Sequence, residues 1–189
     1  MGGKFVVGYS GNLGRAHEFE TMLGAAAALT EDSTVAFVFI GGGHGNKQLR
    51  EAAAARGLSQ LKFFPYQPQA LLAQSLSAPD VHLVSLRAEM EGLIVPSKVY
   101  GIAAAGRPCI FIGDAGGEVA KMLEEGGFGT TIAPGDSTGL MEAIVRLRNN
   151  PELCRAQMLS ARRFFEHHHT SEAAAARWES VLHAVSKSN

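Results

Sequence analysis

Val35-Ala36-Phe37-Val38-Phe39-Ile40 has no polar residue on either face of an extended strand. Side chains alternate between the two faces of a strand, so this run needs cover on both sides. A parallel sheet flanked by helices supplies it. The rest of the chain repeats the pairing. Short β-branched and aromatic runs at 4–9, 34–40, 61–64, 81–86, 109–112 and 129–132 alternate with stretches rich in Ala, Leu, Glu and Arg. Those stretches, at 17–29, 47–56, 69–77, 97–105, 117–125 and 138–148, read as helices. The order predicts an α/β chain, a Rossmann-like doubly wound parallel sheet of about six strands. After Asn149-Asn150-Pro151 the strands stop and helices are expected over 152–166 and 171–185, with Pro151 at a helix start.

The 189 residues fit one domain with a real core, and 17 Lys+Arg against 18 Asp+Glu leave a net charge of −1. That balance disfavours a nucleic-acid groove or a surface for anionic membranes. Cys109 and Cys154 lack the spacing of a zinc or redox motif and read as small core residues in a reducing cytosol. No apolar stretch approaches the roughly 18 residues of a membrane span, which predicts a cytoplasmic protein. The first strand begins directly after Met1-Gly2-Gly3, the start expected of a piece of a longer protein.

Open α/β sheets bind ligands at the carboxyl ends of their strands, so the loops that follow strands are the informative ones. The first reads Tyr9-Ser10-Gly11-Asn12-Leu13-Gly14-Arg15-Ala16-His17. Its Gly-x-x-Gly turn lets backbone N–H groups approach a phosphate, and Arg15 adds a forked cation; a plain tight turn is the alternative. It is not the Gly-x-Gly-x-x-Gly dinucleotide fingerprint. The second loop, Gly41-Gly42-Gly43-His44-Gly45, reads either as close backbone approach to a ligand or as a flexible turn with His44 in solvent. Pro65-Tyr66-Gln67-Pro68-Gln69 is a rigid turn that either offers an aromatic face to a base or packs Tyr66 on the core. The fourth loop runs from Arg87 through Glu89, Glu91 and Pro96-Ser97-Lys98. Ser97 is placed to cap a helix, and Lys98 in its first turn has the wrong sign for the macrodipole unless an anion sits there.

Glu89 and Glu91 have no distant acid to complete a hydrolase pair, and Glu89 reads as solvated. His167-His168-His169 resembles a metal tract, but consecutive residues cannot all face one tetrahedral ion. Those histidines are expected to be structural or solvated, and no metal site is predicted.

Taken together, Ser10-Gly11-Asn12-Leu13-Gly14-Arg15, Phe39-Ile40-Gly41-Gly42-Gly43, Pro96-Ser97-Lys98 with Ala105-Gly106-Arg107-Pro108, Asp114-Ala115-Gly116-Gly117-Glu118 and Pro134-Gly135-Asp136 fall in a familiar order. It resembles the C-terminal, donor-binding half of group 1 (family 4) glycosyltransferases. The resemblance implies one half of a GT-B fold over 1–189, with an N-terminal acceptor domain outside this chain. It implies Gly14 and Arg15 at the donor diphosphate and Lys98 as the basic partner of Arg15. Phe64, Tyr66 and Gln67 would run along the nucleobase, and Glu91 would face the transferred sugar as first acid of a Glu, seven residues, Glu signature. Gly11, Asn12, Gly41, Gly42, Pro96, Ser97, Gly116, Gly117 and Glu118 complete the donor site it implies. The second acid is missing, since the candidate positions hold Val99 or Gly101. This departure resembles a polysaccharide and lipopolysaccharide branch with a Pro-Ser-Lys signature.

The resemblance implies a retaining hexosyl transfer from a nucleotide-diphosphate sugar, a UDP-sugar, to a saccharide or lipid-linked acceptor in surface polysaccharide synthesis. It implies no cofactor and no nucleic acid, with membrane contact only through the missing half. No Asp-x-Asp pair is present, and Arg15 and Lys98 are placed to neutralise a departing diphosphate without a metal. A nucleotide-sugar epimerase of the same fold and a non-catalytic nucleotide-binding module remain the alternatives.

Overall fold

A computed structural model describes residues 3–186. The strands are β1 (Phe5–Asn12), β2 (Val35–Gly42), β3 (Leu61–Phe64), β4 (Val81–Ser85), β5 (Cys109–Ile112) and β6 (Gly129–Ile132). They pair in parallel in the order β3-β2-β1-β4-β5-β6. The chain winds outward from β1 to β3, returns to β4 beside β1, and winds outward again. β1 and β4 therefore flank the switch point, where their two loops part.

The helices are α1 (Glu20–Ala28), α2 (His44–Ala55), α3 (Leu72–Ser77), α4 (Lys98–Ala104), α5 (Glu118–Gly126), α6 (Ser137–Asn149), α7 (Pro151–His168) and α8 (Ser171–Ser186). α1 packs against α2 and α6, and α7 packs against α4 and α5. The two apolar faces of each central strand feed two cores. Phe37, Leu23, Leu49 and Ile144 pack in one, and Phe111, Val99, Leu123 and Phe128 in the other. Each such side chain removed from water contributes roughly 1.5–3 kcal/mol, so both helical layers are anchored by burial. Cys109 lies in the second core, where desolvation pushes its thiol up to about 12, and Cys154 is half-buried.

Helix starts follow local chemistry. Asp136 accepts from the Gly139 N–H at 2.8 Å at the head of α6, and Asn150 accepts from the Leu153 N–H at 2.9 Å ahead of Pro151 in α7. Other boundaries differ from the sequence expectation. β1 and β2 continue to Asn12 and Gly42, because Gly11 pairs with Gly41 and Asn12 with Gly42 in the ladder. α2 begins at His44, not 47. α1 begins at Glu20, not 17, because the His17 Nδ1 bonds to Ser85 O across the sheet at 2.6 Å while Glu18 accepts from the Thr21 N–H. Gln69–Leu71 form a 3-10 turn before α3. Ser97 precedes α4 but makes no side-chain cap bond, since its own backbone is already in the helical region.

Candidate functional site

Glycines bring the first two loops together at the carboxyl edge. Gly41, at φ +129°, lies so close to Gly11 that a Cβ would strike the Gly11 carbonyl. The Leu13 N–H donates to Gly42 O at 2.7 Å, and the Gly45 N–H to Leu13 O at 2.8 Å. The close approach expected of these glycines is thus, in part, backbone to backbone. The Asn12 side chain fills the space beside Gly43 and lies 3.4 Å from where Gly14 would carry a Cβ.

Lys98 leaves the first turn of α4 and crosses the β1–β4 crevice. Its Nζ donates to the Tyr9 hydroxyl at 2.6 Å and stands 3.8 Å from the centre of that ring. It lies 3.9 Å from the Cβ position of Gly11, so the missing side chain there makes room for the amine. Burial pushes Lys98 down to about 7. Burial, then the nearby Lys98 charge, lower His17. Its Nδ1 is held by Ser85 O at 2.6 Å.

Arg15 is exposed and, with Arg87, His17 and His44, lines a hollow of about 340 Å³ between the β1 loop and the start of α2. Lys98, from α4, meets this glycine-rich loop at Gly11, whereas Arg15 follows Gly14 and lines the hollow beside α2, which Lys98 does not line.

Glu91 reaches the next loop along the sheet edge. Its Oε1 accepts from the Glu118 N–H at 3.2 Å, and its carboxylate stands where a Cβ on Gly117 would be. Asp114 accepts from the Gly116 N–H at 2.8 Å, which turns that loop toward Glu91. Gly116, Gly117, Glu118 and Glu91 are therefore brought together, although they come from loops after different strands. Pro96 is buried and Ser97 exposed at the head of α4.

The expected nucleobase segment lies further along the edge. Phe64 and Gln67 line a hollow of about 470 Å³ over Val6, Val38 and Ile40. Tyr66 is exposed, with its ring 3.0 Å from the Cβ position of Gly42, and the Gln67 amide donates to Pro65 O within its own turn. Tyr66 packs beside the glycine loop; the core is not its neighbour.

The histidine run does other work. His169 packs 4.8 Å from the Tyr100 ring and 5.1 Å from Phe164, and His168 accepts from Arg177 at 3.2 Å. Among the described residues, no group of three or more His, Cys, Asp or Glu is placed to hold a metal ion. No described helix is long and apolar enough to cross a membrane. Sequence reasoning passed over Tyr9, Arg87 and the bond of His17 to Ser85 O. Tyr9 alone had a signal, a polar-tipped aromatic at a strand end immediately before a glycine turn.

Residues 4–150 match the family model of glycosyl transferases group 1. The chain belongs to this family. WbjE of Pseudomonas aeruginosa, a glycosyltransferase by name, is 33% identical over 158 residues, 84% of this chain and 38% of WbjE. WcaI of Escherichia coli K12, named as a colanic acid biosynthesis glycosyl transferase, is 31% identical over 121 residues, 64% of this chain and 30% of WcaI. This group 1 chain thus spans well under half the length of the curated relatives it matches. In fold it is similar to HepE of Anabaena, solved with UDP and glucose, at TM-score 0.79 and 17% identity over 96% of this chain and 49% of HepE. Its six-stranded sheet is that of one Rossmann-like half of a GT-B glycosyltransferase.

Proposed function

We propose that this chain is the donor-binding half of a retaining glycosyltransferase that moves a hexose from a UDP-sugar to a saccharide or lipid-linked acceptor of a surface polysaccharide. The observation that carries the reading is Lys98, an amine with no carboxylate partner among the described residues, at the parting of β1 and β4 and facing a loop of glycines that leads to Arg15. Such a place suits a diphosphate, whose departure is stabilised when cations and backbone dipoles take up its charge. Glu91, with one oxygen on the Glu118 N–H, has the other left for a sugar hydroxyl. HepE is solved with UDP, and WcaI is named for polysaccharide synthesis; both support the finer assignment. The acceptor would be held by an N-terminal domain carried outside these residues, in keeping with the share of its relatives that the chain spans. The chemistry asked of Arg15 and Lys98 needs neither a metal nor an organic cofactor.

A charge-assisted hydrogen bond to phosphate contributes roughly 1.5–3 kcal/mol. Arg15→Ala and Lys98→Ala are therefore each expected to weaken UDP binding by about 10- to 150-fold and to leave uridine binding nearly unchanged. Calorimetric titration with both ligands checks it. Equal losses for the two, or none for either, would place the phosphates elsewhere.

A further inference from the structure

Tyr9 is buried at the end of the run that enters the glycine loop, and its hydroxyl is used twice. It accepts from Lys98 Nζ at 2.6 Å and donates to Asn12 O at 3.1 Å, so one oxygen links the amine to the backbone of the turn. Phe39 stacks 6.0 Å behind the ring and His17 meets its edge at 6.2 Å, which holds the ring in one orientation. The amine is thus parked on an aromatic face and a hydroxyl, with no counter-charge within ion-pair distance among the described residues.

Building on the donor-site reading, we propose that Tyr9 is the positioning residue of the diphosphate site: it parks the Lys98 amine against the turn in the free protein, and a nucleoside diphosphate binds together with one proton that Lys98 takes up. Burial favours the neutral amine and pulls Lys98 down to about 7, while the Tyr9 hydroxyl and ring hold it from falling further. An arriving diphosphate supplies the missing negative charge and raises Lys98 well above that value. Binding at pH 8 therefore charges the amine, and affinity falls as pH rises.

The other titrating groups around Lys98 are silent in this window. His17, on the loop after β1, is lowered from 6.5, and His82 on β4 is lowered to about 4, so both are neutral above pH 7. Cys109 on β5 is pushed up to about 12, and burial raises Tyr9 far above its usual value, so neither loses its proton. The terminal phosphate of UDP titrates near pH 6, like other phosphate monoesters. Of these groups, only Lys98 changes charge between pH 7 and 8.5. A hydroxyl accepts more strongly from an ammonium than from an amine, so Tyr9→Phe lowers Lys98 further and moves the transition toward acid.

The test is calorimetric titration of the 189-residue chain with UDP at pH 7.0 to 8.5, in two buffers of different ionisation enthalpy. The wild type should take up close to one proton per UDP at pH 8, with affinity falling about ten-fold per pH unit there. Lys98→Arg, whose guanidinium does not titrate, should show no uptake and a flat profile. Tyr9→Phe should bind UDP about 3- to 10-fold more weakly than the wild type at pH 7.5 and shift the midpoint below 7, with uridine affinity unchanged. A structural loss alone would lower both ligands and leave the midpoint in place. UDP binding by the wild type without proton uptake, or a Tyr9→Phe midpoint equal to that of the wild type, overturns the proposal. If Tyr9→Phe does not fold by circular dichroism, proton uptake by the wild type against Lys98→Arg decides. If the wild type binds UDP at no pH, the donor-site reading itself fails, and the role of Tyr9 with it.

Discussion

Gly43 sits at φ +109°, and the place its Cβ would take is filled by the Asn12 Oδ1 and the Leu13 carbonyl. A side chain there meets backbone on one side and a strained dihedral on the other, so neither can yield cheaply. Gly43→Ala is expected to cost at least about 2 kcal/mol of stability, read as a lower urea midpoint at unchanged slope. The sequence marked this glycine cluster as special but left two reasons open, a ligand or a loose turn. The structure adds a third reason, the packing of one loop's backbone on another, and spacing along a chain carries no record of that. Ser97 makes the same point in reverse. Its residue type suits a cap, yet its own helical backbone turns the hydroxyl away from the role.

At the scale of one element, α3 buries none of its side chains and is held chiefly by its carboxyl end. His82, fully buried in β4, bonds through Nε2 to Leu76 O at 2.8 Å, and Arg107 donates to Ser77 O. With the proton on Nε2, the buried Nδ1 has no partner, and charging it would place a cation among Leu76, Arg107 and Lys98. Desolvation, then those cations, lower His82 from 6.5 to about 4 despite the bond to Leu76. The unfolded chain therefore binds a proton as pH falls through 6.5 while the folded chain does not. The stability from a neutral His82 is complete above 6.5 and is lost between 6.5 and about 4. The loss is on the order of 3 kcal/mol at full extent. Urea unfolding at pH 7.5 and pH 4.5 should show it, and His82→Leu should flatten the difference while lowering stability at both. An unchanged acid loss in His82→Leu would assign it to other groups.

Across the molecule, burial is concentrated in the sheet and in α1, α2 and α4 to α7. α8 leaves Trp178, Val181, Leu182 and Val185 between 53% and 68% exposed, so little apolar area is lost when it leaves. A chain ending at Thr170 should melt within about 3 °C of the whole and bind UDP as well. Neither form is expected to transfer sugar from a UDP-sugar to a saccharide acceptor, because one wall of a cleft cannot orient both reactants. Thermal melts and a radiolabelled transfer assay check both halves. Turnover by residues 1–189 alone would refute the division of labour between two domains.

What the sequence determined by itself was the order and kind of the elements: strands with two apolar faces and helices between them admit one layered architecture, and β5 and β6 fall where the run of β-branched residues places them. It also carried the residue types of the candidate site, since Gly, Lys, Arg and Glu at loop positions are visible without a structure. Tertiary structure decided how they meet. Gly11 faces Lys98, and Tyr9 joins an amine to a turn, only because β1 and β4 lie side by side, with Val7 paired to Val81 across 74 residues of chain. Glu91 finds Glu118 because β4 and β5 are neighbours as well. Contacts of that kind depend on register and burial across distant segments, and local propensity holds no information about either.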